Sequence, residues 1–201
     1  MSEIARFRHG AGRLCLDFVR TLRFRGRPEA EEELPDLEGL TAWIREFGPV
    51  HEDAATSGDP ATSGERTPAQ GDDVTLESAH QLREATYRLI EGARAAAGGP
   101  PSPEAREVVN RAAARPGPAP QLDAEGHLAW RADEPIAATL SLVARDVLDL
   151  VGSDAIHRVR NCADPTCRAL FYDGSRPGSR RWCSMDACGN RAKKATLRAK
   201  S

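Results

Sequence analysis

Cys162-Ala-Asp-Pro-Thr-Cys167 and, after fifteen intervening residues, Cys183-Ser-Met-Asp-Ala-Cys188 decide the fold of the C-terminal part of the chain. Structural zinc prefers four tetrahedral ligands, and two close thiolate pairs supply them when the segment between them folds back on itself. Leu170–Tyr172 and residues 181–183 are strand-like, with a segment rich in turn formers between them, which predicts a hairpin. The sequence therefore predicts one Zn²⁺ bound by four ligands: Cys162, Cys167, Cys183 and Cys188.

Four thiolates fill the coordination shell and leave no position for water, so we expect a structural zinc rather than a catalytic one. Free thiols or another soft metal are the alternatives. His157, five residues before Cys162, is not expected to be a ligand because the two pairs already complete the set. Cys15 stands alone on the apolar face of a predicted helix and is interpreted as a small buried hydrophobic residue.

A last helix is predicted from Met185 onward, with Cys188 in its first turn. One face of this helix is a narrow stripe of small residues at helical spacing: Cys188, Ala192, Ala195 and Ala199. We expect this stripe to pack on the hairpin and the metal. The opposite half of the helix is basic. Gly189 is expected to allow a close backbone approach or a bend near the metal.

Charge divides the chain into two parts. Residues 157–201 carry 11 basic and 3 acidic side chains, a net charge of +8, whereas residues 1–156 carry 17 basic and 27 acidic ones, a net charge of −10. A basic helix can lie along a nucleic-acid groove, where asparagine or arginine reads bases and other cations hold phosphates. The candidate nucleic-acid-binding residues are Arg180, Arg181, Asn190, Arg191, Lys193, Lys194, Arg198 and Lys200.

Two other interpretations of this basic surface stay open. Four thiolates around Zn²⁺ carry a net charge of −2, so the cations could simply neutralise the metal site or form a solvated face. The same surface could also dock on an acidic protein partner.

The N-terminal part is predicted to be mostly α-helical, with one small β-hairpin at 121–131 around Glu125-Gly126. Helices are expected at 14–22, at 36–47 with Asp36 as cap, at 74–97, at 102–115 with Ser102 as cap, and at 136–151 as a central buried helix. Residues 23–35 are predicted to be a charged loop. Residues 48–72 have almost no apolar side chains and are predicted to be a mobile loop. We predict a helical domain over 1–155 and a zinc finger over 156–201.

Several classes of protein are not expected. The sequence has no run of 18 apolar residues and no signal-peptide pattern, which favours a cytoplasmic location without a membrane. No phosphate-binding glycine loop, metal-hydrolase motif or nucleophile elbow is present, so an enzyme is not predicted. His9, Cys15 and Asp17 are the best catalytic candidates, but Asp17 is expected to bond an arginine or a backbone group. Trp43 and Trp130 are expected to be core residues.

Two stretches resemble a known family. The chain closely resembles the CGNR zinc finger at Arg158-Val-Arg-Asn-Cys162, at Leu170-Phe171-x-Asp173-x-Ser175-Arg176, and at Arg180-Arg181-Trp182-Cys183 through Cys188-Gly-Asn-Arg191. Gly12-Arg-Leu-Cys-Leu-Asp-Phe-Val19, with Thr21, resembles the opening signature of the helical ABATE domain that precedes this finger. Arg20 departs from the signature, which usually has asparagine there.

The resemblance implies a C-terminal module like a zinc ribbon or treble clef, a bacterial cytoplasmic protein and a role in stress-linked transcription regulation. The leading hypothesis is a regulator whose helical domain dimerises or senses a small-molecule effector while the basic finger helix contacts DNA. A single finger binds DNA weakly, so specificity would need a dimer or a partner. The alternative is a zinc-finger adaptor that binds a protein and never meets nucleic acid.

Overall fold

Helix α5 (Pro135–Val151) is the centre of the N-terminal part of the chain, as its apolar periodicity predicts. Eight of its residues are buried, and α1 (Leu14–Val19), α3 (Asp72–Arg94) and α4 (Pro103–Ala113) all pack against it. This computed structural model describes residues 6–49, 72–95 and 101–198. The loop predicted over 48–72 therefore lies almost entirely outside the described residues, as does the predicted end of the third helix at 97.

Capping side chains start two helices where the sequence predicts them. Asp36 accepts a hydrogen bond from the Gly39 backbone N–H at 2.8 Å and begins α2 (Leu37–Phe47). Ser102 accepts a hydrogen bond from the Ala105 backbone N–H and begins α4, whose first residue is a proline. Each bond satisfies an N–H group that has no partner within its own helix.

Within the part of the chain that the structure describes, three two-stranded antiparallel ribbons complete the fold. β3 (Ala119–Leu122) and β4 (Leu128–Arg131) form the predicted hairpin. The first helix ends at Val19 rather than at the predicted residue 22, and Leu22 instead begins β1 (Leu22–Arg23). β1 pairs with β2 (Glu31–Glu32), which lies in the segment predicted as a loop. β5 (Val159–Asn161) pairs with β6 (Leu170–Tyr172) in the finger, after the 3₁₀ helix Asp154–Arg158. The mostly helical class with a small C-terminal finger is confirmed.

The strand pairing predicted for the finger is wrong. Leu170–Tyr172 is a strand, but its partner is Val159–Asn161 and not residues 181–183. The backbone at 181–183 is bonded elsewhere: the Arg181 carbonyl accepts from the Ala163 N–H, and the Trp182 and Cys183 carbonyls accept from the Arg180 guanidinium. These carbonyls thus find their donors in Ala163 and Arg180, and β6 finds its ladder partners in β5.

The β5–β6 ribbon joins the finger to the helical part. Val159 and Leu170 are buried in the same hydrophobic core as α5, whereas Phe171 is buried with the four cysteines. The two units predicted over 1–155 and 156–201 thus share a core at this ribbon. Their independence as folding units stays a prediction.

The last helix differs from the prediction. Met185–Gly189 forms a π-helical turn, and α6 (Asn190–Arg198) follows it with no buried residue in its described length. Ala192 is partly buried but Ala195 is exposed, so the small-residue stripe does not pack on the hairpin beyond Ala192. Alanine side chains contribute too little apolar area to hold a helix end against the finger. Ala199 and Lys200 lie outside the described residues.

Among the residues that the structure describes, no helix is long and apolar enough to cross a membrane.

Candidate metal centre

The four predicted cysteines come together in one buried cluster. Their sulfur atoms all lie within 4.8 Å of one another, and all four side chains are buried. Sγ of Cys183 lies 3.6 Å from Sγ of Cys167 and 3.8 Å from Sγ of Cys188, and none of the four forms a disulfide. A tetrahedron with Zn–S bonds of about 2.3 Å has S–S edges of about 3.8 Å. The spacing of the sulfurs therefore fits a tetrathiolate zinc site.

The pKa values of the clustered thiols also indicate that a cation binds among them. A hydrogen bond from Cys183 lowers the pKa of Cys167 to about 5. The pKa of Cys183 is raised by that hydrogen bond to Cys167 and by burial, and burial raises the pKa of Cys188 to about 12. Four adjacent thiolates repel one another, so they ionise together only when a divalent cation neutralises them.

Asp164 and Asp173 organise the loops around the metal ligands; the sequence predicted no role for Asp164, whereas Asp173 is part of the stretch that resembles the CGNR finger. Asp164, between Cys162 and Cys167, accepts hydrogen bonds from the Thr166 backbone N–H and hydroxyl at 2.9 and 2.7 Å. Burial raises its pKa, but these bonds and the charge of Arg191 outweigh burial and lower it. The Asp-x-Thr spacing is typical of such a turn and could have revealed this role.

Asp173 does the same for the loop that leads to the second pair of cysteines. It accepts hydrogen bonds from the Ser175 hydroxyl at 2.5 Å and the Ser175 N–H at 3.0 Å, and from the Arg180 N–H at 2.9 Å. The hydroxyl of Ser175, followed by these backbone donors, lowers the pKa of Asp173. An ionised Asp173 thus sets the path of the chain from β6 to Cys183.

The predicted nucleic-acid-binding residues fall into two groups. Arg180 points inward: it lies 4.7 Å from the Phe171 ring centroid and donates to the carbonyls of Gly10, Trp182 and Cys183. Arg191 is half-exposed and also makes internal contacts: it donates to Asp164 at 3.0 Å and to the Thr166 hydroxyl at 2.9 Å. The exposed group in the described residues contains Arg181, Asn190, Lys193, Lys194 and Arg198.

Gly189, at the end of the π-helical turn, allows close contact with side chains rather than with backbone. A Cβ atom there would lie 2.6 Å from Sδ of Met185 and 3.4 Å from Cδ1 of Trp182. Side chains thus approach the Gly189 backbone closely, and the glycine also stands where the π-helical turn gives way to α6, near the metal ligand Cys188. Because Met185 is half-exposed, its flexible end has room to move away.

Two family models match the chain in succession. The ABATE model, described as "Putative stress-induced transcription regulator", matches residues 12–154, and the CGNR zinc-finger model matches residues 158–201. The chain belongs to the ABATE family and carries a CGNR zinc finger. Among curated proteins, none matches the chain. The CGNR finger, with its four clustered cysteines, holds one structural Zn²⁺.

Both families are described as regulator or zinc-finger types and not as enzymes. In the ABATE domain, Cys15 is fully buried and burial raises the pKa of its thiol well above the usual value. His9 bonds Glu46 and stacks on Phe47, and Asp17 accepts from the Ala11 N–H and Arg20, as predicted for a structural aspartate. These three residues do not form a nucleophile and base pair.

Proposed function

We propose that this ABATE–CGNR protein is a zinc-dependent, DNA-binding transcription regulator of the cytoplasm. In this proposal, the outer face of α6 contacts DNA, and the ABATE domain supplies dimerisation or the sensing of a small molecule. The proposal rests on three exposed cations of α6, a helix with no buried residue in its described length. These cations are Lys193, Lys194 and Arg198.

The surroundings of these cations favour an external anionic partner. In the part of the chain that the structure describes, no hydrogen bond or ion pair engages the side chains of Lys193, Lys194 or Arg198. Arg180 and Arg191 already make the internal contacts of the finger. Structural neutralisation therefore accounts for the inner arginines better than for the outer cations.

Zinc gives these cations a defined position. Cys188 lies in the turn that leads directly into α6, and Arg191 ties the first turn of α6 to the loop between Cys162 and Cys167. A helix whose start is held at two points can present one face to a nucleic-acid groove. Base reading by Asn190, Arg191 or Arg198 stays part of the proposal.

Fluorescence anisotropy of the zinc-loaded full chain with random and genomic duplexes, over a salt series, tests DNA binding. With about four phosphates neutralised by Arg181, Lys193, Lys194 and Arg198, the log–log salt slope should be about −3 to −4. Lys193→Gln and Lys194→Gln should each reduce its magnitude by about one. The matched control, Arg106→Gln on α4, removes an exposed arginine far from the finger and should leave the slope unchanged.

Removal of zinc with a chelator should abolish binding, and zinc addition should restore it, because the metal holds the start of α6. Absence of binding to any duplex at low salt would overturn the proposal and favour the protein-interaction adaptor. Binding that keeps its salt slope after loss of Lys193, Lys194 and Arg198 would place the DNA surface elsewhere.

A further inference from the structure

An arginine-rich cavity lies between the ABATE domain and the finger. It has a volume of about 240 Å³ and is lined on one side by the β1 region and on the other by the residues that follow Cys167. Val19, Leu22 and Leu170 give it an apolar wall. The arginines that line it are Arg8, Arg20, Arg23, Arg25, Arg27 and Arg168.

Three of these arginines have buried nitrogen atoms with no hydrogen-bond acceptor. They are Nη2 of Arg20, Nε of Arg23 and Nη2 of Arg25. The Arg20 side chain is only 4% exposed, so water does not easily supply the missing acceptor. These nitrogens are enclosed by protein atoms, so the wall of the cavity holds more arginine donors than its acceptors satisfy.

The positive charge of the cavity exceeds what nearby carboxylates neutralise. Arg20 pairs with Asp17, and Arg25 pairs with Glu84, which Arg83 also contacts. Arg23 pairs with Glu31 and lies 3.5 Å from a carboxylate oxygen of Glu33, whose charge also acts on Arg8 and Arg20. Glu91, the acidic residue in the lining, is already paired with Arg94. Within the described ranges 6–49, 72–95 and 101–198, neither Arg8 nor Arg168 makes a side-chain hydrogen bond or an ion pair, so the arginines of the lining outnumber the carboxylates beside them.

The backbone around the cavity has an unusual conformation on both sides. Phe24 and Arg168 have φ angles of 50° and 49°, and both line the cavity. They are the two non-glycine residues with positive φ among the residues that the structure describes. Such conformations are strained and are often found at ligand sites.

We propose that this cavity binds a small organic anion, with a carboxylate or phosphate head on the arginines and a compact apolar body on Val19, Leu22 and Leu170. Arginine donors match the two oxygens of such a head. This inference deepens the proposed effector-sensing role of the ABATE domain and does not depend on DNA binding. Arg20, the departure from the family signature, makes the donor set particular to this chain.

The position of the cavity couples its ligand to the zinc finger. Cys167, a zinc ligand, and Arg168 are part of the lining, and Arg27 reaches from the ABATE side to the carbonyl of Pro165. An anion between the two sides would bridge the β1 region and the loop that holds zinc. The ligand would thereby stabilise one arrangement of the finger on the ABATE domain.

Isothermal titration calorimetry on the zinc-loaded full chain tests this inference, with ionic strength held constant by chloride. Inorganic phosphate and benzoate are the anionic probes, which separate a phosphate from a carboxylate preference, and benzamide is the neutral probe. Saturable binding of either anion, with none of benzamide, supports the inference. Arg168→Gln and Arg20→Gln should weaken binding at least about tenfold, whereas Arg106→Gln should leave it unchanged.

Arg168 is exposed, so its substitution tests the site even if Arg20→Gln does not fold. No saturable binding of either anion up to about 10 mM, or equal affinity in Arg168→Gln, would overturn the inference. Because this titration contains no DNA, its failure leaves the DNA-binding proposal standing. Failure of the anisotropy experiment likewise leaves the anion site standing.

Discussion

Arg180 and Arg181 are adjacent in sequence but have opposite surroundings. Arg180 lies over the ring of Phe171 and donates to three backbone carbonyls, one of them from Gly10 in the ABATE domain. Arg181 is exposed, with its guanidinium 5.1 Å from the ring centroid of Trp182. A guanidinium that bonds three backbone carbonyls and lies over a buried ring stabilises the fold, whereas an exposed one is available to a partner.

Alanine at each position should separate these roles. Arg180→Ala should lower the free energy of unfolding by about 2–3 kcal/mol because carbonyls near the metal site lose their donor. Arg181→Ala should change stability by less than about 0.5 kcal/mol and should reduce the DNA salt slope by about one. Urea unfolding and anisotropy on both zinc-loaded variants measure these effects. A stable Arg180→Ala protein with weakened DNA binding would contradict the assignment.

The β1–β2 ribbon depends on a buried arginine from α3. Arg83, which is 3% exposed, donates to both carboxylate oxygens of Glu32 at 2.6 and 2.5 Å and to the Thr21 hydroxyl at 3.1 Å. Burial raises the pKa of Glu32, but the hydrogen bonds from Arg83 outweigh burial and lower it below its ordinary value of 4.5. Two residues per strand cannot hold a ribbon alone, so this ion pair attaches it to α3.

Glu32→Gln should therefore reduce the free energy of unfolding by about 2 kcal/mol, since Arg83 loses its two-oxygen charged partner but keeps Glu84 and the Thr21 hydroxyl as acceptors. The control is Glu31→Gln on the same strand: Glu31 pairs with Arg23 at an exposed site, and its loss should cost less than about 1 kcal/mol. Urea unfolding of both variants measures the difference.

The same comparison has a pH dependence. Because the folded-state pKa of Glu32 lies below its ordinary value of 4.5, the ionised Glu32 stabilises the protein fully at pH values above 4.5. This contribution is lost as the pH falls through the folded-state pKa. The stability difference between wild type and Glu32→Gln should therefore shrink as the pH is lowered from about 6 to about 3.5. A difference that stays constant over this range would show that Glu32 does not act through its charge.

The whole molecule is held together where the start of the ABATE domain meets the finger. The Tyr172 N–H donates to the Ala11 carbonyl at 2.7 Å, and Gly12 has a φ angle of +87° beside it. A Cβ atom on Gly12 would lie 3.1 Å from the Tyr172 carbonyl oxygen and 3.2 Å from Tyr172 Cβ. Gly12 thus permits both the local turn and the contact between the two parts.

Gly12→Ala should destabilise the full chain more than Gly10→Ala does. Gly10 has a φ angle of +90° but nothing within 4 Å of its added Cβ, so its substitution costs only the backbone term of about 1–2 kcal/mol. Gly12→Ala adds a clash with finger backbone, and a further loss of about 1 kcal/mol or more is expected. Thermal unfolding of both zinc-loaded variants measures the difference. Equal melting temperatures would show that the junction does not contribute to stability.

The sequence by itself determined the features that depend on neighbours along the chain. The two C-x₄-C pairs identify the zinc ligands because each pair is a local loop, and Asp36 and Ser102 mark helix starts because capping is a local bond. The periodicity of residues 136–151 likewise identified α5 as the buried centre.

Only the tertiary structure decided the features that join distant segments. β6 pairs with β5, whereas the backbone of residues 181–183 bonds to Arg180 and Ala163. The arginine cavity draws its lining from residues 8, 19–27, 87–91 and 161–170, which no local pattern brings together. These arrangements depend on which acceptors the buried donors find across the core. Any segment of the chain can supply such an acceptor, so a local sequence pattern does not determine the outcome.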